Sequence, residues 1–257
     1  MIPFNFNRFG KLVRWSLAND KRYYVKSFMQ VLVTLLLVFL IFTLLGKTHD
    51  GRLGNYGPCA FIVGAMMTVT VMMGPAFMFY SMEGKHDMLS LLMLQASNLE
   101  KYLMRYSTWI ILVPLYVLAF LAADLLQYLI HGMLGHDYAI FVVSVIQKFL
   151  SEVPFAADTQ TALLLTVLYF HSLYALGATF FRSHKFNWVL TTVTTILIFT
   201  LLGWILPHRI TIQFEHDYST LIIRLVYAIH VALILLNFWL SYRLFCRNQV
   251  IGKYVNL

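Results

Sequence analysis

Charge is what this chain has least of. Asp, Glu, Lys and Arg make up 12% of its 257 residues, and only 11 residues are acidic. Soluble domains carry about 25% charged residues. With 60% hydrophobic residues, a soluble fold of this length could not hide its apolar surface, whereas a bilayer can solvate it. Cysteine is nearly absent too. Cys59 and Cys246 fall at opposite membrane faces in the topology set out below. They cannot pair within one chain, and no C-x-x-C spacing offers a metal site. Catalytic signatures are missing as well. There is no H-E-x-x-H, no G-x-S-x-G and no pair of intramembrane carboxylates. Gly46-Lys47-Thr48 echoes the end of a phosphate-binding loop, but Ile41 stands where the earlier glycine belongs, and a membrane span precedes it rather than a strand. The chain is therefore not expected to act as an enzyme, to hydrolyse ATP alone or to hold a metal or cofactor of its own.

What the chain does have is long apolar runs. Six are near the roughly 20 residues that cross a bilayer: Phe28–Gly46, Pro58–Met82, Ser107–Ile130, Thr161–Phe181, Asn187–Leu206 and Thr220–Tyr242. They are continuous rather than alternating and too long for barrel strands. Inside lipid the backbone must satisfy its own hydrogen bonds, so the spans are helices. The prediction is an all-α polytopic membrane protein with six transmembrane helices in a single domain, residues 1–257. The fifth run is diluted by Thr191, Thr192, Thr194 and Thr195, but threonine hydroxyls can bond back to the preceding turn.

Orientation follows from the Lys and Arg residues in the loops. Arg8, Lys11, Arg14, Lys21, Arg22, Lys26, Lys85, Lys101, Arg105, Arg182, Lys185, Arg243, Arg247 and Lys253 fall on one side. Lys47, Arg52, Lys148 and Arg209 fall on the other. The positive-inside rule makes the first side cytoplasmic, with both termini there. The net charge of +8 then reflects juxtamembrane residues facing anionic lipid headgroups, not nucleic-acid binding. No cleavable signal peptide is expected, because the first span follows a long basic segment.

Three segments outside the spans have character. In residues 1–27, Phe6, Phe9, Val13 and Leu17 recur at helical spacing, with Arg8, Lys11 and Arg14 off that stripe. This predicts an amphipathic helix in the inner headgroup region, with Trp15, Tyr23 and Tyr24 suited to the interface. The loop 83–106 contains Ser97 and Glu100 at capping-box spacing. Ser97 would accept from the Glu100 N–H while Glu100 reaches back to the Ser97 N–H. A helix is predicted to start there and run into the third span. Met88–Leu94 is apolar but too short to cross, so it should lie along the surface or pack under the bundle. The external loop 131–160 is predicted to hold a short interfacial or re-entrant helix that stops before Pro154.

Four polar residues lie within spans. Asp124 stands about 9 Å from the outer end of the third span and Arg224 about 6 Å inside the sixth, at ~1.5 Å per residue. Similar depth and opposite charge make pairing one possibility and independent snorkelling the other. His171 and His230 lie mid-span. Each could contact substrate or relay protons, but the commoner role is a neutral imidazole bonded across a helix interface. Met66, Met67, Met72, Met73, Met78 and Met82 enrich the second span. They share no single face, which favours packing over a copper path. Ala60 and Gly64 could admit a close helix approach.

The run Gly84-Lys85 through Leu92-Met93-Leu94-Gln95-Ala96-Ser97-Asn98-Leu99-Glu100-Lys101-Tyr102-Leu103 resembles a segment of small permease subunits of type-2 ABC transporters, especially Bacteroidetes-like ones. Phe170-His171-Ser172-Leu173 to Gly177, then Phe180-Phe181 and Lys185-Phe186, resemble their fourth span and its exit. Gln95 departs from the proline usual in that family, which softens the expected kink before the helix. The resemblance implies a homodimer or heterodimer of permeases and a separate ATPase subunit that binds ATP and Mg. It also implies an elbow role for the N-terminal helix and docking of the ATPase on loop 83–106. Carried over, Ser97, Asn98, Glu100 and Lys101 become the coupling residues. The function so implied is ATP-driven transport, in the direction of export, in a bacterial inner membrane; the alternatives are a membrane enzyme using His171 or His230 and a non-transporting scaffold or sensor that recruits a cytoplasmic protein.

Overall fold

The computed structural model describes residues 3–45, 56–82, 90–91, 93–133, 157–182, 184, 186–205 and 220–247. Every regular element among them is helical. They are α1 (Phe6–Asn19), α2 (Lys21–Leu45), α3 (Tyr56–Met73), a 3₁₀ segment (Gly74–Met82), α4 (Asn98–Met133), α5 (Ala157–Phe180), α6 (Asn187–Ile205) and α7 (Thr220–Cys246). Among the described residues, five helices are long and apolar enough to cross a membrane. The sixth apolar helix, α6, has 19 residues, about 28 Å at 1.5 Å per residue. The chain is an all-α membrane protein, as the apolar runs predict.

Local chemistry explains several boundaries. The Asn5 side-chain oxygen accepts the backbone N–H groups of Asn7 and Arg8 at 2.9 and 3.3 Å, which caps α1. One residue, Asp20, separates α1 from α2, and its carbonyl takes the N–H groups of Tyr23 and Tyr24. The second predicted span does not stay α-helical to Met82. It turns to 3₁₀ geometry at Gly74-Pro75, where the proline has no N–H to give and disfavours α geometry in the residue before it. In α6 the hydroxyls of Thr191, Thr192, Thr194, Thr195 and Thr200 each donate to the carbonyl four residues back, at 2.7–2.8 Å. The polar residues that dilute this run thus bring their own acceptors.

The predicted stripe of α1, read as turned to the lipid headgroups, is not the face the helix packs against protein. Leu12 and Ser16 are buried, whereas Phe6 is 81% exposed and Leu17 is exposed as well. Phe6 instead stands edge-on to the Phe4 ring, 5.0 Å away.

The chain forms two compact units. The first comprises residues 1–12, 72–106 and 157–257; the second comprises 13–71 and 107–156. In the second, Leu35, Phe39, Val63, Phe120 and Ala123 make a core, with Met66 and Met67 against it. Met66 and Met67 of α3 thus serve packing. Gly64 has open space around it, so no close helix approach forms there among the described residues. In the first unit α5 packs against α7, α6 and the 3₁₀ segment. At Gly177 an added Cβ would run into the Thr191 side chain, so this glycine is what lets α5 and α6 come together.

Polar groups along the α5–α7 contact pair with one another. Asn237 donates to the Ser172 hydroxyl at 3.0 Å, and Ser241 donates to the Ala175 carbonyl at 3.0 Å. Thr179 and Tyr102 both reach Ser241, at 3.3 and 3.0 Å. Beyond them, Phe79 stacks on Phe245 and Tyr102 stands edge-on to the same ring. The Arg182 guanidinium lies over Phe79 at 5.6 Å. The end of the 3₁₀ segment, the start of α4, the exit of α5 and the end of α7 therefore meet.

The predicted helix in loop 131–160 and the stretch 83–89 lie outside the described residues. α4 runs on to Met133 and α5 begins at Ala157.

Candidate functional site

The start of α4 is where the chain concentrates its polar contacts. Both bonds of the capping box are present. The Ser97 N–H donates to Glu100 Oε2 at 2.8 Å, and the Glu100 N–H donates to Ser97 Oγ at 3.3 Å. Helix then runs from Asn98 with Ser97 as its cap. Without proline at 95, the approach still turns sharply, because the Ala96 N–H reaches the Leu94 carbonyl at 2.8 Å. Leu91 is buried and Met93 exposed, so the described part of the short apolar stretch has one packed face.

Glu100 holds a second set of partners that the local sequence does not announce. Arg8 Nε donates to Oε2 at 2.8 Å and Arg8 NH2 to Oε1 at 2.7 Å, a two-pronged ion pair. The Asn5 backbone N–H adds a third donor at 2.6 Å. With the Ser97 N–H, one carboxylate thus ties the entry of α1 to the entry of α4. Its side chain has no solvent exposure, while that of Arg8 keeps 32%. Arg8 also donates to the Pro3 carbonyl. The Arg8 hydrogen bonds hold the Glu100 carboxyl down to about 2, against an ordinary 4.5; the Asn5 and Ser97 N–H groups add to this and burial opposes it. The same pairing raises Arg8.

The clue to this clasp was faint. Glu100 is the one acid between Asp87 and Asp124, and an isolated carboxylate beside a membrane calls for a cation. Which of the 19 basic residues answers is not written at helical spacing, since Arg8 lies 92 positions away.

The other residues predicted at this site are placed differently. Asn98 is exposed beside the cap. Lys101 is buried, and burial pushes its ammonium down from the usual lysine range. Arg105, one turn further on, is fully buried. Lys101 and Arg105 each have interaction partners, so this turn of α4 presents its cations inward.

Of the intramembrane residues, His171 is buried, with Nε2 at 2.7 Å from the Tyr106 hydroxyl. Its ring also stands against Phe238 at 6.3 Å. His230 Nδ1 lies 2.9 Å from the Val226 carbonyl. A carbonyl only accepts, so the proton of that bond sits on Nδ1. The Tyr169 ring meets His230 edge-on at 6.2 Å. Each histidine thus has an α-helical or aromatic partner of its own. Asp124 is buried and accepts from Gln127 at 3.0 Å. Arg224 is exposed, and the two belong to different units.

No cluster of three or more His, Cys, Asp or Glu with metal-binding geometry occurs among the described residues. What the α4 entry can do is mechanical. It fixes two helix starts to one buried charge. Compared with known proteins, the chain matches no family model, no curated sequence and no solved structure.

Proposed function

We propose that this chain is the membrane-spanning permease subunit of an ATP-driven ABC-type transporter, working in export and energised by a separate ATPase subunit. The observation that carries the proposal is the capped and clasped entry of α4. A 36-residue helix spans about 54 Å, longer than the roughly 30 Å hydrocarbon core. Its first turns therefore stand outside the membrane as a stiff extension of the span. A partner that pushes on Asn98 and its neighbours moves the first turns of α4, ahead of the proline at 114, as a rigid body. Glu100 makes the N-terminal helix part of that motion.

Two further observations support it. The segment around Ser97-Asn98-Leu99-Glu100-Lys101 is where the resemblance to type-2 permeases is most specific. The loops that the positive-inside count puts on one side adjoin elements that meet around Phe79, Tyr102, Arg182 and Phe245. In this proposal that side is cytoplasmic, the membrane is a bacterial inner membrane, and two permease copies share the ATPase pair.

The test is co-purification of the chain with an ATPase, followed by ATPase rates in reconstituted vesicles. Glu100→Lys places a cation against Arg8 and removes the acceptor for four N–H groups, two from Arg8 and one each from Asn5 and Ser97. It should abolish stimulation of the ATPase while the protein still inserts. Unchanged stimulation in that variant would remove the lever role of α4. Substrate turnover without any ATPase would remove the transporter assignment altogether.

A further inference from the structure

The first 45 residues contain a single carboxylate, Asp20. The fold turns it inward. Asp20 is 4% exposed and accepts from the Ser16 hydroxyl at 3.1 Å and the Asn19 amide at 3.3 Å. The neighbouring cations are treated in the opposite way. Arg14, Lys21, Arg22 and Lys26 are all exposed. None of the four forms an ion pair among the described residues. Trp15, Leu17, Val25 and Met29 are exposed alongside them. These residues share one compact unit. The outward surface at the α1–α2 junction is therefore cationic and apolar, without a carboxylate to balance it.

The position adds to the imbalance. Lys21 and Arg22 occupy the first turn of α2, which has no acidic residue, and aligned peptide dipoles already make that end positive. A partner that complements this surface must be a layer of fixed negative charge with hydrocarbon directly beneath it. A membrane of anionic phospholipid has that arrangement, and a soluble anion does not.

We propose that the α1–α2 junction is a binding surface for anionic phospholipid headgroups, selecting them over zwitterionic ones through Arg14, Lys21, Arg22 and Lys26. Aromatic and aliphatic side chains seat the junction at headgroup depth, and the four cations read the charge of the leaflet. This surface binds such headgroups whether or not the chain transports anything.

The test measures lipid selectivity directly. The full chain is reconstituted in phosphatidylcholine vesicles doped with spin-labelled phosphatidylglycerol or spin-labelled phosphatidylcholine, and the motionally restricted fraction is read by electron paramagnetic resonance. The wild-type chain should prefer the phosphatidylglycerol label. The variant with Arg14→Gln, Lys21→Gln, Arg22→Gln and Lys26→Gln should lose that preference by at least ~threefold, since one cation near an anionic surface strengthens association by about fivefold. If that variant does not reconstitute, the pair Arg14→Gln with Lys26→Gln should show a smaller loss. Arg14→Lys with Arg22→Lys keeps the charge and should keep the preference. Arg243→Gln with Arg247→Gln, at the exposed end of α7, should leave it unchanged. Three results would overturn the proposal: no preference in the wild-type chain, an equal loss in the α7 variant, or displacement of the label by a soluble oligonucleotide at equal phosphate concentration.

Discussion

At neutral pH the Glu100 carboxyl is ionised by a wide margin. Its folded-state pKa is about 2 and its ordinary value is 4.5. A group whose pKa is depressed by folding adds stability above its unfolded value and loses it as pH falls toward its folded value. The clasp should therefore be fully formed above about pH 4.5 and release between there and about pH 2. Thermal unfolding of the reconstituted chain across that window should show a loss of melting temperature that Glu100→Gln lacks. An identical acid profile in both proteins would mean that the Arg8–Glu100 pair does not hold the folded state. This residue also marks how far local sequence reasoning reaches. The bonds between Ser97 and Glu100 follow from a spacing of three. The bonds from Asn5 and Arg8 follow from the three-dimensional path of the chain, which no helical period encodes.

At the level of elements, the apolar runs and the breakers between them were legible because each reports on its own backbone. The α6 threonines satisfy themselves within one turn, so their polarity does not end the helix. Gly74-Pro75 shows the reverse, since the run stays apolar through Met82 while the proline takes away a donor and the helix tightens. The exposed apolar stripe of α1 was legible, but the side it packs against protein was not, because apolar residues of an interfacial helix have two apolar environments to choose from. Leu12 turned to protein, while Phe6 and Leu17 stayed outside. Helix crossings are harder still to anticipate from one sequence. Gly64, the glycine expected at a close approach, meets nothing among the described residues, while Gly177, not singled out for packing, meets Thr191. Gly177→Ala should therefore force α5 and α6 apart and destabilise the protein by about 1–3 kcal/mol, the usual range for overpacking. Thr191→Ala in the same chain should restore most of the lost melting temperature. A neutral Gly177→Ala variant would show that the crossing is not close in the folded protein.

For the whole molecule, membrane class was plain from composition, and sidedness rested on the distribution of Lys and Arg. The clasp adds a constraint of its own, since Asn5, Arg8 and Glu100 must share one side of the membrane. With Cys59→Ser and Cys246→Ser as background, single cysteines at Asn7 and Asn98, both exposed, should react alike with a membrane-impermeant maleimide. Both should be shielded in intact cells and open in inverted vesicles. Labelling of Asn98→Cys from outside would invert the topology and end the case for a cytoplasmic ATPase partner. The roles of His171, His230 and Asp124 were the least legible part. A mid-membrane polar residue reads the same in sequence whether it meets a substrate or a neighbouring tyrosine.

The length of α4 has a consequence for where this protein works well. A helix that outruns the oily layer by several turns has no fixed waterline. Longer acyl tails would submerge turns on the Tyr106 side of the clasp, and shorter tails would lift them out, because a helix and its bilayer adjust to one another. The reach of Asn98 above the surface is then set jointly by the chain and by the fatty acids that the cell supplies.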